Sequence, residues 1–82
     1  MNLENKVVVV TGGASGLGQA AARHLVTQKQ AKVAILDLNQ DAGERTVAEL
    51  GEENALFCQA DVTSEESIDA AIAKVMEKFG AI

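Results

Sequence analysis

The stretch Val7-Val8-Val9-Val10-Thr11-Gly12-Gly13-Ala14-Ser15-Gly16-Leu17-Gly18 decides the fold of this chain. Val7 to Val10 are all β-branched and apolar, with no polar residue between them, which is the pattern of a strand covered on both faces. Glycines then break the run, and Gln19-Ala20-Ala21-Ala22 are good helix formers. The expected order is a strand over 6–11, a glycine-rich turn, and a helix to about Lys29. Leu17, Ala21 and Leu25, spaced four apart, form its expected apolar row, with Ala20 and Ala22 beside them.

The same alternation continues. Lys32 to Asp37 reads as a second strand, centred on Val33-Ala34-Ile35-Leu36. Asn39 suits the N-cap of a second helix, and Asp41 and Glu44 sit where the helix dipole favours anions. Ala42, Val47 and Leu50 give that helix a weak apolar face, and Gly51 is a natural stop. Residues 55–60 form a short third strand. Thr63 and Glu66 have the spacing of a capping box for a third helix. Ile68, Ile72, Val75 and Phe79 follow at i, i+4, i+7 and i+11, and Gly80 ends it. The order β-α-β-α-β-α implies parallel strands and right-handed crossovers: the first half of a doubly wound α/β sheet.

Composition narrows the function classes. With 82 residues the chain holds one small domain at most. Its formal charge of −5 and lack of a basic run argue against nucleic acid or an anionic membrane as partner. No apolar stretch approaches the ~20 residues of a membrane span, and the N-terminus has neither a secretion signal nor an arginine-rich transit pattern. Cys58 is the single cysteine, so no internal disulfide can form, which fits a reducing compartment. It reads as a small buried hydrophobe, and His24, the single histidine, as a surface residue. With one histidine, no multi-histidine metal site can be built.

Three phosphate-loop patterns compete for the glycine run. A P-loop needs Lys then Ser/Thr after its last glycine, but Gln19 and Ala20 follow Gly18. This removes nucleoside triphosphate chemistry. The G-x-G-x-x-G/A fingerprint fits Gly16, Gly18 and Ala21, yet Gly16 stands too far beyond Thr11 to turn directly off the strand. The longer T-G-x-x-x-G-x-G loop is met by Thr11, Gly12, Gly16 and Gly18. In it Gly12 turns off the strand, Gly16 leaves room for a pyrophosphate, and Gly18 lets the helix sit close to the sheet. Such a turn can also simply join a strand to a helix. Asp37 favours the ligand reading: it ends the second strand about 20 residues beyond Gly18, where a carboxylate accepts hydrogen bonds from adenosine ribose hydroxyls. A carboxylate there repels a 2′-phosphate, and no Arg or Lys follows in Leu38-Asn39, so NAD is favoured over NADP. The plainer alternative is a polar residue closing a strand.

On these motifs the chain resembles the short-chain dehydrogenase/reductase family along its whole length, matching the first third or so of a usual member. The resemblance implies that Asp61 and Val62 contact the adenine by side chain and backbone N–H, and that Ser15 and Leu17 line the cofactor. The competing role for Asp61 is the turn before the third helix. The segments 11–18, Leu36-Asp37 and 60–65 look most like the short-chain type of 3-hydroxyacyl-CoA dehydrogenase. The family works with a tyrosine as general acid/base, a lysine that lowers its pKa, and a serine that orients the substrate. Members carry these beyond a fourth strand, and this chain contains no tyrosine.

The expectation is therefore an NAD-binding half-domain over 1–82, truncated before the fourth strand, with its first strand left as an apolar edge. It would hold cofactor without catalytic residues of its own. An alcohol or ketone would be the substrate once the remainder is present, in a homo-oligomer located in the cytoplasm (or the mitochondrial matrix of a eukaryote). A non-catalytic nucleotide-binding or interaction module, or a piece without function of its own, are the alternatives. One local departure is Lys29-Gln30-Ala31, where members usually place a glycine to close the first helix.

Overall fold

The computed structural model describes residues 5–12 and 16–80. Its elements are β1 (Val7–Thr11), α1 (Gly16–Lys29), β2 (Lys32–Asp37), α2 (Gln40–Leu50), β3 (Ala55–Gln59) and α3 (Glu65–Phe79). The sequence pattern places each one, with differences of a residue at the start of β1, the end of β3 and the start of α3. The strands are parallel in the order β1-β2-β3. Val10 pairs with Ile35, and Ile35 with Phe57.

Side-chain alternation along the strands divides the apolar residues into two layers. Val33 and Ile35 meet Ala22 of α1 and Ala42 and Leu50 of α2 on one face. Ala34 and Leu36 meet Ala71 and Val75 of α3 on the other, together with Cys58. β2 is thus covered on both sides, and Val33, Ala34, Ile35 and Leu36 are all buried. Each large side chain there contributes about 1.5–3 kcal/mol through burial. β1 carries a comparable sequence, but Val7 to Val10 are only half-buried, and β1 pairs with β2 alone among the described strands. Within these three strands β1 therefore lies at one side of the sheet.

The expected apolar row of α1 is corrected. Ala22, Leu25 and Val26 pack inward, whereas Leu17 is 90% exposed and Ala21 is exposed. A strict four-residue series drifts by about 40° per step on a helix of 3.6 residues per turn, so Leu17 has rotated away by the time Leu25 faces the sheet. The helix closes as the missing glycine implied: Gln30 takes a left-handed φ of 58°, and the Ala31 N–H donates to Leu25 O at 3.0 Å.

α2 is capped as read, with the Asn39 side chain accepting from the Ala42 N–H at 3.0 Å and Gly51 at φ 95°. Its inward face also holds Gly43 and Thr46. Thr46 Oγ1 donates to Ala42 O at 2.9 Å and accepts from Gln19 Nε2 at 3.2 Å, joining α2 to α1. Gly43 has a steric reason: a Cβ there would lie 2.1 Å from the Phe57 ring.

The cap of α3 is also corrected. Ser64, not Thr63, is the N-cap, accepting from the Ser67 N–H at 3.3 Å. The Thr63 hydroxyl is used elsewhere, on Asp61. Glu65 and Glu66 occupy the first turn and Gly80 closes the helix in the left-handed region.

Candidate functional site

Parallel strands deliver their carboxyl ends to one rim, and ligands of such sheets bind there. At this rim lies a cleft of about 220 Å³ lined by Gly12, Leu36, Asp37, Leu38, Ala60, Asp61, Val62 and Thr63. It brings together four of the expected site residues: Gly12, Asp37, Asp61 and Val62. A larger cleft of about 280 Å³ lies between α2 and β3, lined by Glu44, Val47, Ala48, Glu52 and Phe57. It is remote from the glycine turn, so the smaller cleft is the candidate site.

Gly12 leaves β1 at φ +67°, and Gly16 opens α1 at φ +57°, a region that only glycine enters freely. Space around both is open, so backbone conformation is what selects glycine there. The Gly12 N–H is already used, donating to Leu36 O at 2.8 Å. Gly18 is half-buried and Leu17 almost fully exposed in the first turn of α1, and neither lines the cleft. Ser15 lies outside the described residues. The first turn of α1 bears no carboxylate, whereas α2 opens with Asp41 and α3 with Glu65 and Glu66. A helix start without an acidic residue leaves its positive dipole end available to an anion.

Asp37 ends β2. Its carbonyl accepts from the Ala60 N–H at 3.1 Å, and its Oδ1 accepts from the Asn39 N–H at 3.0 Å. Asp61 is held by Thr63, whose N–H and Oγ1 both donate to Asp61 Oδ1, at 2.9 and 2.6 Å. The turn foreseen as the plainer role of Asp61 is therefore present, and it lies in the cleft. These bonds hold the Asp61 carboxyl below the usual carboxylate range, the hydroxyl contributing most. A carboxyl lowered in the folded state stabilises above its unfolded pKa, and that contribution is lost as pH falls through the folded value.

Leu38, Leu36, Ala60 and Thr63 line the cleft but were not read from the sequence as site residues. Leu38 is 64% exposed and Val62 47%, so two apolar side chains stand open at this rim. The readable signal for Leu38 was an apolar residue directly after the strand-ending Asp37. Away from the cleft, His24 is exposed and Cys58 buried, as expected. Burial pushes the Cys58 thiol up, against the smaller opposing effect of Lys74. Among the described residues no group of His, Cys, Asp and Glu could hold a metal ion, and no helix is long and apolar enough to cross a membrane.

A glycine turn, a helix start without acid and two aspartates at the carboxyl rim of a parallel sheet define the N-terminal part of a Rossmann-like nucleotide-binding fold. Comparison with known proteins narrows the class. Residues 6–82 match the family model for short chain dehydrogenase, and the chain belongs to the short-chain dehydrogenase/reductase family. It is 44% identical to human 3-hydroxyacyl-CoA dehydrogenase type-2, covering 99% of this chain and 30% of that protein. It superposes on a Burkholderia phymatum short chain dehydrogenase/reductase in complex with NAD at TM-score 0.89 and 28% identity, over 98% of this chain and 29% of that one. L-sorbose reductase of Gluconobacter frateurii, complexed with NADPH and L-sorbose, gives 0.84 and 28%, over 98% and 32%. The chain thus spans about a third of the length of the relatives it matches.

Proposed function

We propose that this chain supplies the adenosine-binding part of an NAD site in an oxidoreductase that moves hydride between a secondary alcohol or ketone and the cofactor. One observation carries the reading: Asp37, Asp61 and Val62 share one cleft with Gly12, and among the described residues no lysine or arginine lines it. A 2′-phosphate would meet carboxylates without a cation, which supports NAD over NADP. The size agrees with a part of the dinucleotide. About 220 Å³ is below the roughly 300–1,000 Å³ of pockets that enclose a whole drug-sized ligand. The apolar walls, Leu36, Leu38 and Val62, suit a flat base, and Asp37 suits ribose hydroxyls.

Bound NAD supplies the hydride acceptor. The residues of this chain bind and orient its adenosine end, with Gly12, Ser15, Gly16, Leu17 and Gly18 assigned to the turn and helix start beneath the pyrophosphate. With no tyrosine in the sequence, the proton transfer implied by the family resemblance needs residues beyond these. The likeness to human 3-hydroxyacyl-CoA dehydrogenase type-2 supports a 3-hydroxyacyl thioester as substrate of the whole protein. Calorimetric titration tests the cofactor reading. NAD is expected to bind weakly and more tightly than NADP, and Asp37→Ala to weaken NAD about tenfold, as for loss of a charged hydrogen-bond partner. Equal binding by wild type and Asp37→Ala would remove Asp37 from the site.

A further inference from the structure

The cleft has two walls made of irregular backbone: Leu38 after β2, and Asp61-Val62 between β3 and α3. Packing does not hold them, because Leu38 and Val62 are 64% and 47% exposed. Each is fastened instead by a side chain that does not line the cleft. Gln59, the register partner of Asp37, extends its Nε2 one residue further and donates to Leu38 O at 3.1 Å. Ser67, in the first turn of α3, accepts the Asp61 N–H on its Oγ at 2.9 Å. Ser67 is itself anchored through its own N–H to Ser64 Oγ, and the Ser64 N–H donates to Asp61 O at 2.9 Å. Thr63 holds the Asp61 carboxylate and Ser67 holds its backbone N–H, so Asp61 is restrained at both its side chain and its backbone.

We infer that Ser67 and Gln59 are positioning residues of the adenosine subsite, holding its two walls at the separation and angle that select adenine. The inference rests on the adenosine reading above. Both residues act through others: Ser67 through Asp61 and Val62, Gln59 through Leu38. Because a carboxylate accepts from the 6-amino group of adenine and repels the 6-oxo group of hypoxanthine, correct aim of Asp61 appears as discrimination between AMP and IMP. A generally loosened fold would weaken both nucleotides alike.

The test is titration of the chain and its variants with AMP, IMP and nicotinamide mononucleotide, with thermal unfolding alongside. Ser67→Ala and Gln59→Ala are expected to weaken AMP about fivefold, the scale of one hydrogen bond, and IMP less, so the AMP-to-IMP ratio narrows. Nicotinamide mononucleotide should respond the same to every variant. Ser67→Thr keeps a hydroxyl acceptor and should restore the ratio. Gln59→Glu replaces the donor by an acceptor and should not. Gln59 is exposed, so its variants test the idea even if Ser67→Ala fails to fold. An unchanged ratio in both alanine variants overturns the positioning role while leaving the adenosine reading intact. Wild-type chain that binds neither AMP nor NAD overturns the adenosine reading itself.

Discussion

β1 and β2 are near-equivalent as sequences and opposite as structures. Val7-Val8-Val9-Val10 and Val33-Ala34-Ile35-Leu36 are both unbroken apolar runs. The second is buried throughout, with Val33, Ala34 and Ile35 at 0% exposure and Leu36 at 1%, while the first is half-buried at every valine. The difference is position in the sheet: among the described strands β2 has a neighbour on each side and a helix layer on each face, β1 a neighbour on one side only. Apolar content says that a strand is meant to be covered. It does not say by which neighbours.

The largest expected effect probes that contrast directly. Ile35→Ala should destabilise by about 2–5 kcal/mol, as for a fully buried aliphatic side chain. Val9→Ala, half-buried in β1, should cost about 1 kcal/mol. Urea unfolding of both variants measures the difference, and equal losses would mean that β1 is covered as well as β2. The other edge strand sharpens the comparison. β3 sets Phe57 against the bare backbone of Gly43, where a Cβ would stand 2.1 Å from the ring. Gly43→Ala should therefore destabilise by about 1–3 kcal/mol from overpacking, although alanine is the better helix former by about 1 kcal/mol. A rise in melting temperature would show that the ring swings aside at no cost. The smallest effect lies where α1 returns the chain to β2. Gln30 sits at φ 58°, and Gln30→Gly should stabilise by about 1 kcal/mol, measured by the same unfolding curves. No gain would show that the Gln30 side chain offsets its backbone strain.

Much of the fold was readable because its signals are local. The glycines at 12 and 16 are needed by positive φ, Asn39 caps with its own side chain, and Gly51 and Gly80 end helices by conformation. Asp37 was readable because strand length and loop length place it near the glycine turn in any parallel β-α-β unit. Less readable were features that depend on which atom reaches a partner first. Thr63 and Ser64 are adjacent hydroxyl residues, both suited to a cap. Ser64 takes that role because Thr63 is bound to Asp61. The Ala22-Leu25-Val26 stripe of α1 was obscured by Leu17, whose apolar side chain points to solvent.

By itself, then, the sequence determined the succession of elements, their parallel pairing and the residue types at the carboxyl rim, because periodicity and backbone conformation act over a few residues. Only the tertiary structure decided that β2 is the covered strand among those described, that Phe57 requires Gly43, and that Gln59 and Ser67 bond to the cleft walls. These are contacts between distant segments, and no local propensity encodes how two such segments meet.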